Sequence, residues 1–231
     1  MISISPYVTL FYDVITDQEI EALKAAAQNK LQRGTIVSSG TLHIHNYRTS
    51  HVALFQNWDS PEIMGPLTLR VAAITNLNTE TYVPGSAFSA EQFQVASYGT
   101  GGQYGLHYDF LGKEVLHERM RTEAFSMFGG DRLATFLIYL TDVERGGSTV
   151  FPKLDVALSP VKKMAVFWYN AKPSGELDQL TVHGGCPIVV GNKWVSNKWM
   201  WNYGNTFTRR CGLTPKATQL DIEPYMRKGW V

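Results

Sequence analysis

From about Glu91 onward the apolar residues recur at every second position, in short segments separated by Gly99–Gly102, Gly129-Gly130, Gly146-Gly147, Ser174-Gly175 and Gly184-Gly185. A period of two belongs to strands, whose side chains alternate between faces, and glycine clusters mark the turns between them. The pattern predicts strands over Phe93–Tyr98, Arg132–Leu140, Lys163–Tyr169, Pro187–Val190 and Lys193–Trp201. The loops between them are unequal and no segment repeats another, which excludes a propeller or a solenoid. The expected core is a barrel or a two-sheet jelly roll.

The amino-terminal third carries a different signal. Thr16-Asp17-Gln18-Glu19 is a capping box, followed by Ile20, Leu23 and Ala27 at helical spacing, and predicts a helix over about 17–29. Ser60-Pro61-Glu62 starts a second apolar face through Ile63, Leu67, Val71 and Ile74, with Pro66 predicting a kink or a later start. No Pro- or Ser-rich linker interrupts the 231 residues, so the expectation is one domain over 1–231. Within it we expect a helical layer over about 1–85, a jelly-roll core over about 86–211 and a tail over 212–231. The 111–130 stretch reads as a long loop over the sheet and a candidate lid.

Charge narrows the function. With 21 basic against 20 acidic residues, a nucleic-acid face driven by bulk charge is not expected. The longest apolar runs, near Leu133–Leu140 and Met164–Tyr169, are too short to span a bilayer. The start, Met1-Ile-Ser-Ile-Ser-Pro6, lacks the features of a secretory signal, pointing to an intracellular chain or a piece of a longer one. Cys186 and Cys211 are too few for a disulfide scaffold, and two free thiols or one pair are both open.

His107-Tyr108-Asp109 is the sharpest local feature. On a strand, residues two apart share a face, so an imidazole and a carboxylate converge. Alone the motif is weak, and a histidine simply held by a neighbouring carboxylate is the plainer reading. His183, on another segment far downstream, completes the layout of a two-histidine, one-carboxylate facial triad for Fe(II). Lys193 lies in the aromatic-rich run Lys193-Trp-Val-Ser-Asn-Lys-Trp-Met-Trp201, where an inward cation needs an anion, such as a dicarboxylate cosubstrate.

These residues sit in a wider pattern. Glu91 through Asp109, Gly130-Asp-Arg-Leu-Ala-Thr-Phe-Leu-Ile-Tyr-Leu140, Gly146-Gly-Ser-Thr-Val-Phe-Pro152, Ala165-Val-Phe-Trp-Tyr-Asn170 and His183-Gly-Gly-Cys-Pro187 through Trp199 closely resemble the catalytic domain of collagen prolyl 4-hydroxylase α subunits. The resemblance runs from about Val8 to Cys211. It implies an Fe(II)- and 2-oxoglutarate-dependent dioxygenase on a double-stranded β-helix, mainly β with amino-terminal helices. His107, Asp109 and His183 match the iron ligands; Lys193 matches the lysine for the far carboxylate of 2-oxoglutarate, assisted by Tyr98 and Thr149. Arg48, Ser50, Glu91, Tyr104, Arg132 and Trp199 match peptide-binding positions, in keeping with a groove of tyrosine and arginine donors and aromatic walls for a stiff polyproline II ligand. For Arg48 and Glu91 an ordinary surface pair is the alternative.

The implied reaction is 4-hydroxylation of peptidyl proline in procollagen-like chains, coupled to oxidative decarboxylation of 2-oxoglutarate to succinate and carbon dioxide, with ascorbate rescuing oxidised iron. The implied partners are a proline-rich or collagen-like peptide and protein disulfide isomerase as β subunit. The implied compartment is the lumen of the endoplasmic reticulum, with Cys186 and Cys211 as an intradomain disulfide. Two departures stand out. Trp201 replaces a family histidine, and strand parity with Lys193, Val195, Asn197 and Trp199 predicts that it lies in or at the mouth of the pocket. Gly105-Leu106 stands where Glu-Pro is common. The alternatives are an oxygenase for another proline-rich substrate and a catalytically silent jelly-roll peptide-binding module.

Overall fold

Two antiparallel sheets carry the molecule. The computed structural model describes residues 1–38, 41–81, 89–112, 130–206, 209, 211–214 and 216–218. The larger sheet has eight strands in the spatial order Ser3–Ile4, Tyr7–Phe11, Ala165–Tyr169, Arg132–Tyr139, Lys193–Trp201, Phe93–Tyr98, His51–Phe55 and Gln32–Arg33. The smaller has four, in the order Val156–Leu158, Thr149–Phe151, His183–Gly185 and Tyr104–His107.

Alternation along the central strands builds two cores. Phe93, Val95, Phe136, Ile138, Ala165 and Phe167 point from the large sheet toward the helices and pack with Ile20, Leu23, Met64, Leu67 and Val71. Their alternating neighbours Ala96, Tyr98, Leu137, Tyr139, Val166, Trp168 and Val195 point the other way and meet Phe151 and Leu158 of the small sheet. The two sheets therefore share one interior, as the jelly-roll expectation requires. Tyr98, Leu137, Trp168 and Val195 of this second set also line the inner cavity described below.

The helices cover the outer face. Asp17–Gln28 begins with the expected capping box: Glu19 N donates to Thr16 Oγ1 at 3.2 Å and Thr16 N to Glu19 Oε2 at 2.8 Å. Glu19 also takes two bonds of 3.1 Å from Arg70 and so ties the two helices together. The second helix, Pro61–Thr75, runs through Pro66 instead of starting after it, and its Ser60 cap makes no side-chain bond. Pro66 is the sixth helical residue and forgoes the bond its nitrogen would make to the Glu62 carbonyl, while its ring lies exposed, away from the buried Ile63, Met64 and Leu67.

The first 85 residues are not simply a helical layer. Tyr7–Phe11 pairs with Ala165–Tyr169, and His51–Phe55 pairs with Phe93–Tyr98, so both extend the main sheet. Each strand is only five residues long, and each has one sheet partner about forty or more residues away in sequence. The lid expected over 111–130 lies, for residues 113–129, outside the described residues.

Candidate metal centre and adjoining cavities

The small sheet brings the triad together. His183 and His107 are direct cross-strand partners, and the register slips between His183 and Gly185. Asp109 follows two residues after His107, just beyond its strand, and one ligand atom from each of the three lies within 4.8 Å of the others. Asp109 Oδ1 is 3.7 Å from His107 Nε2, and its Oδ2 is 3.6 Å from His183 Nε2.

Both rings are held in the orientation a metal requires. His107 Nδ1 lies 2.8 Å from the carbonyl of Gly105, and His183 Nδ1 lies 2.9 Å from that of Thr181. A carbonyl only accepts, so each Nδ1 carries the proton and each Nε2 turns its lone pair toward Asp109. Burial, helped by His183, holds the His107 imidazole well below its ordinary pKa and therefore neutral. For Asp109 burial opposes the charge, but His183, His107, Arg132 and the Thr135 hydroxyl together hold the carboxyl below its ordinary range. Two imidazoles anchored through Nδ1, with both Nε2 atoms turned toward one carboxylate, fit a divalent iron with cis positions left for other ligands.

A second layer orients the carboxylate. Thr135 Oγ1 donates to Asp109 Oδ2 at 2.7 Å, and Asn170 Nδ2 donates to Thr135 Oγ1 at 3.0 Å. The turn after Asp109 is fastened by Asp131, which accepts Leu111 N at 2.8 Å and Gly112 N at 3.0 Å. The sequence reading did not single out Thr135, Asn170, Asp131 or Tyr139. A signal was present for two of them: Thr135 and Tyr139 share the inward parity of Leu137 on an otherwise apolar strand.

An inner cavity extends from the triad to Lys193, lined by Tyr98, Thr149, Trp168, Asn197 and Trp199 among others. Lys193 and Tyr98 are cross-strand partners. The ammonium is 5% exposed, donating to Gly147 O at 2.7 Å and Thr149 Oγ1 at 3.3 Å, and Tyr139 donates to the same hydroxyl at 2.8 Å. No carboxylate pairs with Lys193 among the described residues. Burial lowers its pKa to about 8, with the nearby Cys186 acting in the opposite direction. A buried ammonium bonded only to neutral oxygens is a receptor for an anion.

An outer groove shares Tyr104, His107, Asp109 and Trp199 with the inner cavity and adds Ile36, Tyr47, Arg48, Gln94, Tyr108, Phe110 and Arg132. Tyr104 stacks on His107 with ring centroids 3.7 Å apart. Arg48 is buried, donating to Ser50 Oγ and Thr35 O at 3.1 Å each and also to Gln94, with its guanidinium 4.7 Å from the Tyr104 ring centre. It is thus not a surface partner of Glu91. Ser50 is fully buried beneath it and does not line the groove. Glu91 lines neither cavity and instead pairs with Arg132.

Three expectations need correction or revision. Trp201 lines neither cavity: it is the last residue of its strand, and its indole Nε1 donates to Glu91 Oε1 at 3.1 Å. The register shift between Met200 and Trp201 skips Leu133 on the neighbouring strand and leaves the alternation along Lys193–Trp201 unbroken, so the indole sits past Trp199, where the cavity wall ends. The bridge expected between Cys186 and Cys211 is not formed, and both are free thiols. Each segment has its own anchor, Cys186 N on Ser148 O at 2.9 Å and Gly212 N on Pro173 O at 2.8 Å. At Gly105 the ring of Tyr47 lies against the backbone, where a Cβ would come within 2.3 Å of Tyr47 Cζ. The Glu-Pro common at this point therefore cannot occupy it while Tyr47 keeps this position.

The likenesses to known proteins agree with this geometry. Residues 93–201 match the model of the 2OG-Fe(II) oxygenase superfamily. The chain is 42% identical over 212 residues to prolyl 4-hydroxylase subunit alpha-1 of Gallus gallus, covering 90% of this chain and 38% of that protein. The Homo sapiens alpha-1 subunit matches equally, at 42% identity over 90% of this chain and 37% of that protein. The chain thus spans well under half the length of these relatives. Among solved structures, the viral collagen prolyl hydroxylase of Paramecium Bursaria Chlorella virus-1, in its 2OG complex, superposes with a TM-score of 0.63 at 27% identity, covering 84% of this chain and 96% of that one. With the triad, the shared interior of the two sheets and these likenesses in agreement, the chain belongs to the 2OG-Fe(II) oxygenases.

Proposed function

We propose that this protein is a peptidyl-proline 4-hydroxylase, with residues 1–231 acting as one catalytic domain. The observation that carries the reading is the shared wall of Tyr104, His107, Asp109 and Trp199 between a cavity that reaches the buried Lys193 and an aromatic groove. The lysine end of the first suits a small dianion, and the aromatic and arginine lining of the second suits a chain. The choice of proline rests on similarity to the prolyl 4-hydroxylase α subunits.

In this reading His107, Asp109 and His183 hold Fe(II), and Lys193 receives the far carboxylate of 2-oxoglutarate with Tyr98 and Thr149 beside it. When bound, iron with 2-oxoglutarate and dioxygen supplies the oxidising power that places one oxygen atom on the proline and the other in succinate, with release of carbon dioxide. The chain's own work is placement. Thr135 fixes the free rotation of the Asp109 carboxylate, and the carbonyls of Gly105 and Thr181 hold the protons on the Nδ1 side of both rings. Trp168 and Phe151 pack around His183, with ring centroids 4.8 and 5.5 Å away, and exclude water from its far side.

In the outer groove, Tyr47, Tyr104, Tyr108, Phe110 and Trp199 offer flat faces for a polyproline II chain, which is stiff and loses little entropy on docking. Arg48 and Arg132 form its polar wall. Ascorbate, a protein disulfide isomerase partner and an endoplasmic-reticulum address belong to this proposal by resemblance alone. A second reading, an oxygenase for another proline-rich peptide, is favoured by Tyr47 lying over Gly105 and narrowing the groove beside His107.

Mass spectrometry on Pro-Pro-Gly repeats and on other proline-rich peptides, with succinate measured in parallel, tests both readings. A gain of one oxygen on the first peptide supports the proposal, and a gain only on the others supports the second reading. Binding of Fe(II) and 2-oxoglutarate without succinate or hydroxylation on any peptide refutes both in favour of a silent binding module.

A further inference from the structure

Trp201 closes a chain of contacts that ends on the backbone of a metal ligand. Its side chain is 2% exposed, and its indole N–H donates to Glu91 Oε1 at 3.1 Å. The same carboxylate receives Arg132 Nε, and its other oxygen receives Arg132 Nη2 at 2.8 Å. The remaining arm of the fork, Nη1, donates to the main-chain carbonyl of Asp109 at 3.2 Å, while the guanidinium lies 4.1 Å from the ring centre of Trp199. Asp131, the residue before Arg132, holds the next two amides of the turn, Leu111 and Gly112.

We infer that Trp201 is a positioning residue for the metal centre, acting through Glu91 and Arg132 on the Asp109 backbone and on the Trp199 wall. The inference rests on the reading of His107, Asp109 and His183 as metal ligands and is independent of which peptide is hydroxylated. A carboxylate paired to a guanidinium fork can rock about its own axis and still keep one of the two bonds. The indole is a third, differently directed donor to the carboxylate, sharing Oε1 with Arg132 Nε. It restricts that rocking and with it the plane of the guanidinium, which alone links the chain to the Asp109 carbonyl. An indole neither accepts nor titrates, so it serves here as a donor only.

Co(II) binding to the full chain, followed by the absorption of the bound ion, reads the effect without turnover. Trp201→Phe keeps the ring bulk and deletes the donor. Its expected Co(II) affinity is about tenfold lower, the lower end of what the loss of an outer partner costs a metal site. On a Glu91→Ala background the same change is expected to have no further effect, because the acceptor is already gone. In turnover, succinate formed per hydroxylated product should rise in Trp201→Phe, a coupling defect that a merely structural residue would not cause.

A Trp201→Phe affinity within twofold of the unsubstituted chain overturns the inference, as does a full additive loss in the double variant. If circular dichroism shows Trp201→Phe unfolded, Trp201→His carries the test. Its ring N–H retains a donor, so preserved affinity supports the inference and a tenfold loss overturns it. Failure of Co(II) to bind the unsubstituted chain would instead refute the metal reading itself.

Discussion

His107 and His183 face each other across two strands of the small sheet, their ring centroids 4.3 Å apart, and each anchors Nδ1 on the carbonyl two residues before it. The repeated i−2 carbonyl makes each ring self-orienting. The pair therefore presents two Nε2 lone pairs without help from a distant residue.

His183→Ala should abolish both metal binding and turnover, because two ligands on one short segment cannot hold a facial site. Calorimetric titration with Co(II) should show at least a hundredfold loss of affinity. Unchanged succinate production in this variant would remove His183 from the metal centre.

Lys193 predicts a pH dependence of cosubstrate binding. Its pKa in the ligand-free protein is about 8, so the ammonium that attracts a carboxylate is present below that value and is lost above it. The affinity for 2-oxoglutarate, measured anaerobically with Co(II) bound, should be flat below pH 8 and fall by about tenfold per unit above it. Lys193→Met should flatten the profile and weaken binding by about 2–5 kcal/mol, the usual cost of removing one partner of a buried charge pair. Wild-type binding that stays constant from pH 7 to 10 would contradict the assignment.

Thr135→Val removes the hydroxyl between Asn170 and Asp109 at nearly constant volume. Metal affinity should drop by about 10- to 100-fold, as for other outer-sphere partners. The test is a Co(II) titration of Thr135→Val beside Asn170→Leu, and the smaller effect should belong to Asn170, which is one bond further from the ligand. A Thr135 variant with unaltered affinity would show that Asp109 is oriented by Arg132 and its histidine neighbours alone.

Lys198 is a stability liability on the opposite face of the strand that carries Lys193. It is fully buried, 3.3 Å from Asn57 Oδ1 and 4.5 Å from the ring centre of Phe93, and burial depresses its pKa to about 7. Between that value and the ordinary 10.5 the unfolded chain binds a proton that the folded chain does not, so this group makes stability rise with pH across that window. Its penalty is full below pH 7 and absent above about 10.5. Lys198→Met should therefore raise Tm most at pH 6, by up to a few kcal/mol in stability, with a shrinking benefit toward pH 10. Thermal melts of both proteins across that range decide it, and a benefit independent of pH would mean that packing, not charge, is responsible.

Much of the site was legible because its signals are local. The period of two placed the Phe93–Tyr98 and Lys193–Trp201 strands at the residues observed, and the Thr16–Glu19 capping box marked the first helix. His107-x-Asp109 and the isolated aromatic-rich setting of Lys193 named the centre before any pairing was known. Parity within one strand is a property of the chain itself, since successive side chains must alternate.

What the tertiary structure decided is everything that depends on register between distant strands. Only the pairing of Thr149–Phe151 and Tyr104–His107 on either side of His183–Gly185 sets His183 against His107. Only the folded sheet joins Tyr7–Phe11 and His51–Phe55 to Ala165–Tyr169 and Phe93–Tyr98, which are remote in sequence. Only the fold brings Glu91 within reach of the Trp201 indole, which makes an expected pocket residue a donor to that carboxylate. The composition and spacing of a strand determine which of its side chains share a face. Which groups that face then meets is set by hydrogen-bond register across the sheet, and a single bulge changes it without altering a residue.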